Sequence, residues 1–275
     1  MIKLAYGLGM LDDMSLEEFE DAARTVSEIG YEGLEPSVCS PSTIDKEAVK
    51  GILDKYGLKF SGLRSGGLYD RQHARFSDPS EAGRKRAVAL MKEMIDLAGY
   101  FQCDVLFGRV QGWIPEDEDM ETGKKYIAEC VKECTEYCAR YGINFDYEPI
   151  NRYDMNYNHT TRETMEFVSK INEGVEHKVM LLMDIYHSFL EDYQIGAAFV
   201  RSGELCGHVH FRDSNGGVPG TGIIDFKEVI CILEAMGYDK WIAFEVGADF
   251  CDYKQGAVDT YKYIKPILDY AYNGR

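Results

Sequence analysis

Several things are scarce in this chain. Only six of its 275 residues are histidine and seven are proline. No uninterrupted apolar run approaches the roughly 18 residues a membrane-spanning helix needs, so no membrane partner is expected. Basic residues are few as well: 30 Lys and Arg stand against 47 Asp and Glu, a net charge of −17. Binding to a polyanion draws most of its strength from clustered Lys and Arg. Nucleic acid is therefore not an expected partner, and a heavily phosphorylated substrate is disfavoured, although a local basic pocket would override the global field. The eight cysteines include no Cys-x-x-Cys pair, and a chain of this size needs no disulfide staples. Reduced thiols in a cytosol fit that usage. The N-terminal MIKLAYGLGMLDDM lacks the apolar core and cleavage site of a secretory signal, and a cytoplasmic location is expected.

What the chain does have is a recurring unit: an amphipathic stretch, a glycine, then a short apolar run. It appears as SEIGYEGLEPSV, DKYGLKFSGLR, DLAGYFQCDVLFGRV, ARYGINFDYEPI and EAMGYDKWIAFEV. Gly30, Gly57, Gly99, Gly142 and Gly237 stand where a helix would end on a left-handed residue. Eight strand candidates follow, at 2–8, 33–38, 59–64, 104–110, 143–150, 179–186, 206–212 and 241–247. Ser15 and Glu18 supply a capping-box start for the first helix. Eight alternating strand–helix units predict a closed parallel (β/α)8 barrel, a TIM barrel, formed by residues 1–275 as one domain. A doubly wound open sheet is the competing architecture, but no Gly-x-Gly-x-x-Gly follows the first strand. Cys130, Cys134 and Cys138 share one helical face and are expected to pack in the core, cysteine being among the most buried residue types.

A barrel places its chemistry where strands end. In the second half of the chain those positions hold Glu148, Asp184, His210 and Glu245, each inside an otherwise apolar run. A carboxylate in such a run costs several kcal/mol, on the order of 3–5, unless it is paired or bound to metal. Three of them beside one imidazole predict a divalent cation. The oxygen-rich set suits Mn²⁺, with Co²⁺, Mg²⁺ and Zn²⁺ as alternatives. His208 alternates onto the same strand face as His210 but lies deeper, and packing within the barrel is expected of it.

The segments INFDYEPINRYD, MDIYH, GHVHFRDSNGGVPGTGIIDF and GYDKWIAFEV resemble the xylose-isomerase-like TIM barrels of the sugar phosphate isomerase/epimerase type. Among these they are most similar to the ketohexose (tagatose/psicose) 3-epimerases, and the similarity runs over essentially the whole chain. It implies Glu148, Asp184, His210 and Glu245 as metal ligands, with Glu148 and Glu245 also serving as the acid–base pair. It further implies that His187 and Asp154 contact substrate hydroxyls, that Trp113 walls the sugar pocket, and that the chain forms a homo-oligomer, a dimer or tetramer. Arg212-Asp213 stand where that pattern has Gly-Glu, and two further positions depart from it. Asp154 replaces a glutamate, and Gly216 replaces a substrate-contacting arginine, which leaves Arg212 as the neighbouring guanidinium able to take its place.

The implied activity is metal-dependent isomerisation or epimerisation of a carbohydrate by proton abstraction next to a ketone. The same centre could serve a lyase or dehydratase acting on a keto-sugar, keto-inositol or keto-glycoside, alone or as a subunit of a larger complex. A non-catalytic sugar-binding barrel is a further alternative. Related barrels also include DNA-repair endonucleases with several zinc ions, but their clusters need many histidines, and only His73, His159 and His177 remain outside the strand-end set and its neighbours.

Overall fold

The computed structural model describes residues 2–247 and 250–273. Its strands are β1 (Lys3–Met10), β2 (Gly33–Ser37), β3 (Lys59–Phe60), β4 (Gly62–Arg64), β5 (Asp104–Phe107), β6 (Phe145–Tyr147), β7 (Met180–Asp184), β8 (Cys206–Phe211) and β9 (Trp241–Phe244). They pair in parallel in the order β1-β9-β8-β7-β6-β5-β4-β2-β3, and a further β1–β2 pairing closes the sheet. β3 and β4 are two pieces of one stave interrupted at Ser61, since both lie against β2. Eight staves result, at all eight expected places, and the architecture is the (β/α)8 barrel.

Around it run α1 (Leu16–Ile29), α2 (Lys46–Tyr56), α3 (Gly66–Asp70), α4 (Glu81–Phe101), α5 (Met120–Cys138), α6 (Thr161–Ile171), α7 (Ile185–Glu191), α8 (Ile195–Ser202), α9 (Phe226–Ala235) and α10 (Tyr253–Asn273). Ser15 and Glu18 form the expected capping box at the start of α1. Gly30, Gly57, Gly142 and Gly237 all take positive φ, as a left-handed stop requires. Gly99 does not. It is buried inside α4, whose left-handed cap is Gln102, with φ 55°. The glycine there answers to packing: a Cβ would fall 2.5 Å from the Tyr141 ring.

Cys130, Cys134 and Cys138 are buried along α5, as their spacing predicts. Burial pushes the Cys130 thiol up to about 12, so it packs as a neutral hydrophobe. Among the described residues, no helix is long and apolar enough to cross a membrane.

Candidate metal centre

The four strand-end residues meet at the C-terminal mouth of the barrel. Asp184 is at once the last residue of β7 and the N-cap of α7. Its Oδ1 accepts from the backbone N–H groups of Tyr186 (2.7 Å) and His187 (3.4 Å), while the buried Oδ2 has no hydrogen-bond partner. Sheet register sets Asp184 beside His210 on β8 and pairs Phe211 with Phe244, so Glu245, one step beyond β9, reaches the same level. Glu148 extends the fifth stave by one residue, its N–H donating to the Phe107 carbonyl at 3.1 Å. Gly108 leaves the room this requires, for a Cβ there would fall 2.2 Å from Glu148 Oε2. One donor atom from each of Glu148, Asp184, His210 and Glu245 lies within 4.8 Å of the others.

Charge crowding fits that donor set to a cation. Burial and the neighbouring Asp184 and Glu245 charges push the Glu148 carboxyl up to about 8. Burial would also raise Glu245, yet the Arg64 guanidinium outweighs it and holds that group well below the usual carboxylate range. A divalent ion would relieve the repulsion and satisfy the orphaned Asp184 oxygen, so the residues fit such a group.

Four further polar residues, His187, Asn151, Asp154 and Arg212, surround the centre. The Nδ1 of buried His187 receives the Asn151 side-chain amide at 2.7 Å and its backbone N–H at 3.3 Å. As an acceptor there, the neutral ring carries its proton on Nε2, 3.7 Å from Glu148 Oε1. Asn151 also donates to Asp154 Oδ2 at 3.0 Å. Arg212 stacks on Tyr186, 4.3 Å from the ring centroid, and its Nη2 lies 3.6 Å from Asp184 Oδ2. Gly216 adopts φ +80°, and a Cβ would meet the Phe250 ring at 3.2 Å. A long side chain at 216 would strain this loop, whereas Arg212 lines the cavity from the end of its stave.

That cavity, of about 240 Å³, is bounded by Glu148, Asp154, His187, His210, Arg212 and Glu245, together with Arg64 and Arg109. Trp113 is not among its lining residues; its side is 43% exposed. An adjoining compartment of about 570 Å³ shares Arg64, Arg212 and Glu245 and is walled by Tyr6, Met10 and Tyr253.

Glu35 and Arg64 escaped the reading of strand ends in the second half of the barrel. Glu35, fully buried on β2, sets Oε1 2.7 Å from His210 Nε2 and Oε2 2.7 Å from His208 Nε2. His208 is thus buried below the mouth with a carboxylate neighbour. Arg64 ends the third stave in FSGLR, the same kind of position as Glu148, and could have been found by the same rule. His159 and His177 lie apart from the cluster, each facing a backbone carbonyl.

Known proteins of similar sequence and fold include sugar epimerases. The L-ribulose 3-epimerase of Methylomonas sp. (strain DH-1) is 27% identical over 250 residues, covering 88% of this chain and 84% of that protein. The 3-dehydro-D-guloside 4-epimerase of Escherichia coli (strain K12) is 23% identical over 236 residues, covering 84% and 86%. A crystal structure of D-allulose 3-epimerase from Methylomonas sp. superposes with a TM-score of 0.83 at 22% identity, over 98% of this chain and 99% of that one, and shares the fold. The family model described as "Xylose isomerase-like TIM barrel" matches residues 23–267, and this chain belongs to that family.

Proposed function

We propose that the chain, as a single domain, is a divalent-metal-dependent epimerase of keto-sugars. The observation that carries this reading is the convergence of Glu148, Asp184, His210 and Glu245 at one end of the barrel, beside a cavity of sugar size. These four would hold the cation, with Mn²⁺ as the proposed ion. When bound, it would polarise the substrate carbonyl and lower the cost of removing a neighbouring proton.

The rest falls to the chain's own side chains. Glu148 and Glu245 sit on the fifth and eighth staves, so their carboxyl groups approach a central substrate from different sides. One takes the proton from the carbon next to the ketone, and the other returns a proton to the opposite face. The carbon inverts, and no atom is gained or lost. His187 Nε2–H, the Asp154 carboxylate and the Arg212 guanidinium line the cavity as contacts for substrate hydroxyls. Relatives named as 3-epimerases and as a 4-epimerase support inversion at a carbon beside a keto group, and a lyase is not favoured. A cytoplasmic homo-oligomer completes the proposal.

The test is solvent-deuterium incorporation, followed by NMR on a panel of ketoses and keto-glycosides with Mn²⁺. Label should enter the carbon beside the ketone. Glu148→Gln and Glu245→Gln should each lower kcat by at least ~10²-fold, with the double variant little worse than the poorer single one. Turnover without label, or an unimpaired Glu245→Gln enzyme, would overturn the reading.

A further inference from the structure

We propose that Glu35 is a positioning residue that fixes which nitrogen of His210 faces the metal centre. The inference rests on the reading of His210 as a metal ligand. Glu35, His208 and His210 are buried together, and none of the three contributes more than 1% of its surface to solvent. Each Glu35 oxygen meets a different imidazole: Oε1 lies 2.7 Å from His210 Nε2, and Oε2 2.7 Å from His208 Nε2. Neither contact is aligned as a hydrogen bond, but a nitrogen lone pair held 2.7 Å from a carboxylate oxygen would be repelled, so the close approach favours a proton on each Nε2. Ser61 Oγ donates to Oε2 at 2.8 Å and holds the carboxylate from a third side.

The consequence lies at the other edge of the His210 ring. With its proton committed to Nε2, the ring offers Nδ1 as the free lone pair. Nδ1 is the atom that faces the mouth, 3.6 Å from Glu245 Oε2. Glu35 thus orients the ring, selects its tautomer and raises its basicity toward a cation, the role a carboxylate plays behind a ligating histidine. The same three residues could instead enclose an ion of their own, since their donor atoms also lie within 4.8 Å of one another. The 2.7 Å contacts argue against that, because two ligands of one small cation stand further apart, at about 3 Å or more for metal–ligand bonds of about 2.0–2.2 Å.

The experiment measures Mn²⁺ binding to the purified full chain, by electron paramagnetic resonance of the free ion, for the parent, Glu35→Gln, Glu35→Asp and Glu148→Gln/Asp184→Asn. One Mn²⁺ per chain is expected. Glu35→Gln should weaken binding by ~10- to 100-fold, and Glu35→Asp should recover part of the loss. Because Glu35→Gln could fail to fold, a second measurement uses the parent alone. Ring-nitrogen NMR of the Zn²⁺-loaded protein should show His210 with metal on Nδ1 and the proton on Nε2. Metal on Nε2, or a folded Glu35→Gln variant with parental affinity, overturns the proposal while leaving the four-ligand site intact. Two ions per chain, one of them lost in Glu35→Gln, also overturn it, in favour of a buried second site. Undiminished binding by Glu148→Gln/Asp184→Asn, or no binding by the parent, removes the underlying site reading and the proposal with it.

Discussion

Arg64 Nη1 lies 2.6 Å from Glu245 Oε1, while the other oxygen of Glu245 faces His210 Nδ1 at 3.6 Å. One carboxylate is thereby divided between a fixed guanidinium and the metal centre. Arg64 is itself anchored on backbone carbonyls, donating to Leu8 and to Glu35. A cation from the third stave therefore holds a candidate base from the eighth in place across the mouth of the barrel.

Removing that cation should make the protein lean on metal. Arg64→Met leaves Glu245 facing Asp184 and Glu148 without its partner. Breaking a fully buried pair costs about 3–5 kcal/mol; Glu245 keeps 29% of its side chain exposed, so about 2 kcal/mol is expected here. The thermal midpoint of the metal-free variant should fall by several degrees. Added Mn²⁺ should raise it by more than it raises the parent, because the ion replaces a missing positive charge. An equal or smaller rise would remove Arg64 from the electrostatics of the centre.

How much of this was legible depended on whether the deciding partner is near in sequence. Glu148, Asp184, His210 and Glu245 announce themselves because each interrupts an apolar strand at its end, where a barrel opens to solvent. Arg64 obeys the same rule on the third stave. Glu35 does not, for it sits mid-strand, and the two imidazoles that explain it lie 173 and 175 residues further along the chain. Trp113 illustrates the reverse case: an aromatic side chain near a stave end need not turn inward, and here it stands partly in solvent while its own backbone carbonyl accepts from Ser77 Oγ at 2.6 Å.

Gly99 makes a second test of long-range control. As an interior helical glycine, its replacement by alanine should gain up to ~1 kcal/mol of helix propensity. The Tyr141 ring at 2.5 Å from the added Cβ opposes this, and overpacking of that kind costs about 1–3 kcal/mol. Gly99→Ala is expected to destabilise on balance in urea unfolding. Added to Tyr141→Ala, the same change should stabilise. At Gly142, with φ +66° and open space around it, alanine should destabilise whether or not Tyr141 is present. Additivity of Gly99→Ala with Tyr141→Ala would contradict the packing explanation.

The glycine-rich loop after β8 is organised by one carboxylate. Asp213 Oδ1 accepts from the N–H of Ser214 (2.7 Å) and Ile224 (3.2 Å), and Oδ2 from Gly220 (2.8 Å). Burial favours the protonated acid, but these backbone donors outweigh it and hold the group below its ordinary value. Asp213→Asn exchanges one acceptor for a donor and should cost about 1.5–3 kcal/mol at pH 7. Since the folded-state pKa is depressed, this stabilisation is complete above the unfolded value of about 3.9 and is lost as pH falls through the folded one. The gap between parent and variant in urea midpoints should hold steady from pH 8 to pH 5 and narrow only below about pH 4. A gap that narrowed between pH 8 and pH 5 would contradict the assignment.

Duplex DNA should not bind at physiological salt. The chain carries a net charge of −17, and the arginines that line the cavity are already engaged. Arg109 forms a two-point pair with Asp70 at 2.7 and 2.5 Å, Arg64 is held by Glu245, and Arg212 lies against Asp184 and Tyr186. A phosphate backbone would have to displace these carboxylates before any counterion release could favour binding. A related nuclease chemistry would also need a histidine-rich cluster. Among the described residues, the candidate groups contain only His208 and His210, with carboxylates as their other members. A gel shift with a 20-base-pair duplex should show no complex at micromolar protein and 150 mM salt. A submicromolar complex that weakened steeply with added salt would reverse the expectation and reopen a nucleic-acid role for the same metal centre.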